Sequence, residues 1–400
     1  MRKLWAGAIS LSMIVFLGGA AMKRFERPRP HGVIAIVPVD PEPVLATVDE
    51  RIHRAFIISW NFGSDSTATE PNYPGSSTVL DARNGTIIAN AKAAVGVDSI
   101  AIVADEHWGR VFVVNAYGTH ATSNPTVRGS VSVLDAASGV VIRHVDVGYY
   151  PTSLAVDDRT GHVFVTNNQS STVSMLDVRT GRLIRTVPVA HGPGSVVVAE
   201  GMGRAFTVND RSVSVLETRT GAVLRTVPIP PVVITSGVVV NNRTRRVIVM
   251  GGTSLSILDA QTGDLLHTVD LGATGDYVVA DGRTNRAFVV SQQTKAVIML
   301  DATTGTVLRT ISLGTQAGAV VVDEREGHVF VGASDRSNHG VVDVLDATSG
   351  QVLGVIAVAG DPRAVDERTG RVFVLNGFGT VTVIDATAFR AKTPTVTSRP

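Results

Sequence analysis

The chain has 400 residues, 44% of them hydrophobic and 18% charged, with 39 glycines and a formal net charge of +1. Hydrophobic content at that level excludes a disordered chain, and basic residues scattered along it exclude an electrostatic track for nucleic acid or an anionic membrane surface. The absence of cysteine excludes disulfides, thiolate metal sites, iron–sulfur clusters and a cysteine nucleophile.

At the N-terminus Arg2 and Lys3 precede an apolar run over residues 4–22 that ends in small residues, the pattern of an export segment. Residues 1–22 are expected to be a signal peptide cleaved after Ala21. The alternative is an uncleaved membrane anchor, because the run approaches the roughly 20 residues that cross a bilayer. A linker over 23–30 carries Lys23, Arg24, Arg27 and Arg29, which on the positive-inside rule would hold that side cytoplasmic. Export is nevertheless the expectation: an extracytoplasmic protein, secreted, periplasmic or at the cell surface, touching membrane only through the N-terminal segment.

From His31 onward a unit of roughly 40 residues repeats. Its clearest mark is a strand ending in Leu-Asp followed by a turn, at Leu80, Leu134, Leu176, Leu216, Leu258, Leu300 and Leu345, with a truncated copy at Ile384. A second motif, an acidic strand end, a turn and a β-rich strand, lies upstream of each copy; VDDRTGHVFVTN from Val156 is its clearest form. Asp accepts hydrogen bonds from N–H groups two or three residues on, and Gly takes the positive φ that closes the turn. Each unit therefore reads as four short antiparallel strands, and runs apolar on both faces, such as 196–198, suit a sheet stacked between two similar sheets.

The predicted fold is all-β: a β-propeller of eight four-stranded blades, with seven as the alternative, forming a single domain over 31–389 with a flexible tail at 390–400. The last unit stops after its third strand, near 381–385, while the first begins with an orphan strand at 31–40. The N-terminal strand is thus expected to complete the last blade and leave no open ring.

Residues 151–167 followed by 171–189 closely resemble the repeat of the YVTN-type β-propellers, and the resemblance extends over about nine tenths of the chain. It implies an exported or surface-layer protein with a binding role. LDATTGTVLRT, from Leu300, is also similar to the quinoprotein propeller repeat, but Arg309 stands where that family carries a structural Trp, as do Arg143, Arg185 and Arg225.

In a propeller the acidic turns share one face, and the opposite face carries the loops between second and third strands plus the links between blades, where function concentrates. Loops 61–76, 115–130 and 332–340, in blades 1, 2 and 7, are enlarged. With the neighbouring links they offer Trp60, Phe62, Tyr73, Asn115, Tyr117, His120, Tyr149, Tyr150, His191 and His339 as tentative binding residues, a mixture suited to a protein, peptide or glycan. Asn115, Asn167, Asn209 and Asn376 end second strands and are expected to cap the loop start through backbone bonds. His107, His162 and His328 are expected to be solvated turn residues.

Asp98 and Asp276, near the entrances of inner strands, are the weak candidates for a divalent cation in a channel, as in a metal-dependent lactonase-like hydrolase. No nucleophile, zinc or phosphate-binding motif occurs, so no catalytic residue is assigned and no cofactor is expected beyond that cation. The chain reads as a monomeric binding scaffold, with the lactonase-like hydrolase as the alternative and no nucleic-acid partner expected.

Overall fold

The structure, a computed structural model, describes residues 30–61, 73–91, 95–117, 127–231, 237–313, 316–334 and 340–389. Eight four-stranded antiparallel sheets form the blades, as the repeat count predicts, and not seven. In blades 1 to 7 the chain runs from the inner strand outward. Inner strands neighbour one another around a ring that closes where Asp361–Asp366 of blade 8 meets Pro43–Asp49 of blade 1. The outer strand of blade 8 is Val33–Pro38, which pairs with Thr380–Asp385, setting Val37 opposite Val381 and Ala35 opposite Val383.

The second strand of each blade is the core. Phe56, Phe112, Phe164, Phe206, Phe288, Phe330 and Phe373 occupy equivalent positions there, Ile248 replaces them in blade 5, and all are fully buried. Each phenyl contributes about 2–3 kcal/mol by leaving water. Burial on both faces follows from stacking: Phe206 and Val215 of blade 4 share a cluster with Val247 and Leu258 of blade 5. His328, expected in solvent, is only 4% exposed and lies edge-on to Phe330, because it opens a second strand that both neighbouring blades cover.

The turns follow the predicted chemistry and also join blades. Asp177 Oδ1 accepts the N–H of Thr180 at 2.7 Å, and the N–H of Gly181 donates to the Asp177 carbonyl at 2.8 Å. Gly181 has φ +66°, and a Cβ there would lie 2.8 Å from Val133 of the preceding blade, so glycine serves both the turn and the close stacking. Three of the four arginines at the quinoprotein Trp position reach the next blade. The Nη1 groups of Arg185, Arg225 and Arg309 donate to the carbonyls of Thr220, Thr262 and Ser349 at 2.6, 3.2 and 3.0 Å.

A collar of carboxylates surrounds the channel on the turn face. Glu106 accepts the N–H of Glu50 at 3.0 Å, Glu50 that of Glu367 at 2.9 Å, Glu367 that of Glu324 at 3.2 Å, and Glu324 that of Gly282 at 3.0 Å. Each carboxylate thus ties its blade to the neighbour, across four consecutive joints that include the closing one. Asn242 and Gly282 hold the equivalent positions in blades 5 and 6 and interrupt the collar.

Candidate functional site

On the loop face a furrow crosses blades 6 to 2 around Asp361, the first residue of the inner strand of blade 8. To one side lies a hollow of about 270 Å³ lined by Tyr277, Gln292, Gln316 and the backbone of Gly318, Gly332 and Gly360. To the other lies a hollow of about 410 Å³ between Trp60, Leu45, Ile100, Arg363 and Gly377. Asp361 lines both.

Asp361 is fixed from two directions. Its Oδ1 accepts the N–H of Ala319 at 3.1 Å and its Oδ2 pairs with Arg363 Nη2 at 3.2 Å. Glycine is what admits the carboxylate: a Cβ on Gly332 would lie 2.6 Å from Oδ1, and one on Gly318 closer still. Trp60 is next to last in the second strand of blade 1, Arg54–Asn61, and donates from Nε1 to the Ser99 carbonyl of blade 2 at 2.9 Å, so its ring is held across the blade joint. Beside the furrow Phe378 is 93% exposed, in the loop between the second and third strands of blade 8. A held indole, a polar pair and an exposed phenyl thus lie close together on this face, a mixture of apolar and polar groups.

A second group gathers at blades 2 and 3. The Tyr117 and Tyr150 rings lie 6.1 Å apart, and burial, then Tyr150 and Asp98, push the Tyr117 phenol up. Tyr149 carries Arg128 over its ring at 5.8 Å. Glu42, Asp98 and Tyr150 hold equivalent link positions with φ of 54°, 55° and 48°, and their carbonyls accept the N–H groups of Trp60, Ala116 and Asn168. That left-handed backbone is the structural task of Asp98, whose carboxyl burial pushes up. Asp276 accepts the Gln292 N–H at 2.7 Å. Asp98 opens blade 2 and Asp276 blade 6, four blades apart in a ring of eight, so they stand across the channel from each other. No set of three or more His, Asp or Glu among the described residues could hold a metal ion.

The other predicted residues fall elsewhere. Asn115 is fully buried. It accepts from Ser99 Oγ at 2.9 Å and donates to Ser130 and Ser132 hydroxyls at 3.2 and 2.9 Å. Asn167 and Asn209 likewise donate to third-strand hydroxyls, Ser174 and Ser214, whereas Asn376 accepts the Phe378 N–H at 3.0 Å in the expected capping bond. His191 pairs with Asp210 at 2.8 Å, 88% exposed and on blade 4, outside the furrow. Phe62, His120, His339 and the side chain of Tyr73 lie outside the described residues, as do residues 1–29 and 390–400. Sequence reasoning missed Asp361, Arg363 and Phe378. The signal available was the Asp-Pro-Arg opening of the last inner strand, where blade 3 has Tyr-Pro-Thr.

The chain is an eight-bladed β-propeller. The family model described as outer membrane protein assembly factor BamB matches residues 209–393. No curated protein matches. Among solved structures, the computationally designed Ika8 protein aligns with TM-score 0.64 at 15% identity, covering 87% of this chain and 98% of that one. BamB from Moraxella catarrhalis aligns with TM-score 0.60 at 15% identity, covering 88% and 99%. At that identity the likeness is one of fold. No helix among the described residues is long and apolar enough to cross a membrane.

Proposed function

We propose that this chain is an extracytoplasmic scaffold that binds a partner protein or peptide along the loop-face furrow of blades 6 to 2. The observation that carries the reading is the juxtaposition of two hollows that share Asp361, lined by Trp60 and Arg363 on one side and Gln316 on the other, with Phe378 nearby. An extended segment crossing it would meet alternating apolar and polar contacts, the composition of protein-binding surfaces. The similarity to a family described as an outer-membrane assembly factor supports a partner in the cell envelope, and the export-type N-terminus supports the compartment.

The test is site-specific photo-crosslinking in the cells that make the protein, with the crosslinker at Gln316 or Phe378 on the loop face and at Thr262 on the turn face. A discrete adduct from the loop-face positions only, weakened by Trp60→Ala with Arg363→Glu, is the expected result. Adducts from both faces alike, or none from the loop face, would sink the proposal.

A further inference from the structure

The channel itself is built differently from the furrow. Its wall is a cavity of about 660 Å³ faced by aliphatic side chains of the inner strands, Ala155, Val197, Val239, Val279, Val321 and Val365 among them. A cavity of that size is in the range of small-molecule sites, and its mostly apolar walls share the character of such sites.

At the turn-face end the same cavity is lined by Glu50, Glu324 and Glu367. Glu50 has Arg368 at 3.7 Å from its Oε2. Glu324 and Glu367 each commit Oε1 to a neighbour's N–H, and among the described residues no cation pairs with either. Behind them Asp323 is fully buried, its Oδ2 has no partner, and its charge bears on Glu367. Glu324 and Glu367, with no cation paired to either carboxylate among the described residues, make the rim of an apolar bore favourable to a positive ligand group. At the other end Arg363 is already paired with Asp361, so it offers little to an anion. An ammonium head group would supply the complementary charge without a set of coordinating ligands.

We infer that the channel binds an alkylammonium ligand, its aliphatic chain in the valine-lined bore and its cationic head against Glu324 and Glu367. The cavity meets the loop-face furrow only at Arg363, and neither reading depends on the other.

Calorimetric titration of the full chain with decyltrimethylammonium, decanoate and a neutral decyl glycoside, all below their micelle concentrations, and with tetramethylammonium, tests it. The expected result is saturable binding of the cationic chain at least tenfold tighter than of the anionic or neutral chains, and no binding of tetramethylammonium. Glu324→Gln with Glu367→Gln should weaken the cation at least tenfold and leave the neutral chain unchanged, while Val239→Phe, which fills the bore, should weaken all chains. Equal affinity across the three head groups overturns the inference, and so does a cation affinity indifferent to both variants. Should a variant fail to fold, the head-group series on the unmodified chain decides alone.

Discussion

Asp343 stands at a third-strand position where six other blades carry a hydroxyl: Thr78, Ser132, Ser174, Ser214, Ser256 and Thr382. In blades 2, 3 and 4 that hydroxyl meets the Asn ending the second strand, but blade 7 has Ala333 there. Asp343 is 6% exposed with Oδ2 unpartnered, and burial pushes its carboxyl up to about 6. A raised acid means the folded state holds its proton more tightly, so this cost is absent below the unfolded value and complete above about pH 6. Asp343→Ser should therefore stabilise the protein by about 1–2 kcal/mol at pH 8 and leave it unchanged near pH 3, read by chemical denaturation at both pH values. At this scale legibility was uneven. Tyr117 and Tyr150 could be brought together from sequence because each sits at a countable distance from a strand end. Asp361 could not, because its partner Ala319 belongs to the preceding blade and its room is made by Gly318 and Gly332.

At the scale of elements, the turn glycines and outer-strand arginines act together. Each glycine lets its turn pack onto the preceding blade, and Arg185, Arg225 and Arg309 reach the turn of the next. Gly181→Ala would force a Cβ onto Val133 at positive φ, with an expected loss of about 2 kcal/mol. Arg185→Ala removes one exposed bond to a carbonyl, and about 0.5–1 kcal/mol is expected. Thermal melts of the two variants should rank them in that order; the reverse would show that the arginine, not the glycine, holds the joint. The Leu-Asp and Gly spacing made the turns readable in advance, because turn chemistry is local. The task of the arginines was hidden: absence of the structural Trp was visible, but not the carbonyl each guanidinium finds a blade away.

For the whole molecule, collar titration links stability to pH. Burial pushes Glu367 up to about 7, with Glu324, Asp323 and Glu50 adding to the effect, and burial with Asp158 pushes Asp105 to about 7. Both acids bind protons more tightly folded than unfolded, so stability should fall as pH rises from about 4 to 7 and then level off. Below that window the turn aspartates Asp81, Asp177, Asp259 and Asp301, held low in the fold, lose their contribution as they protonate. The melting temperature is expected to peak on the acid side of neutrality, and Glu367→Gln should lessen its decline between pH 5 and 8. A peak above pH 8 would contradict the collar's role. Ring size and closure were readable because two independent motifs recurred the same number of times and the terminal strands were complementary. The collar was not, since no single turn shows that its glutamate reaches a neighbour's backbone.

The pairing of Val33–Pro38 with Thr380–Asp385 also sets a clock. During synthesis the first of these strands leaves the ribosome with nothing to pair with, and at ordinary elongation rates its partner follows on the order of half a minute later. Seven blades can assemble in sequence in that interval, but the eighth must wait for the chain to circle back on itself. Closure is thus a single, late, intramolecular event between segments at opposite ends of the chain, and its cost in loop entropy falls on one step. Until then one strand edge stands open, and it can pair with the wrong strand before its own partner arrives.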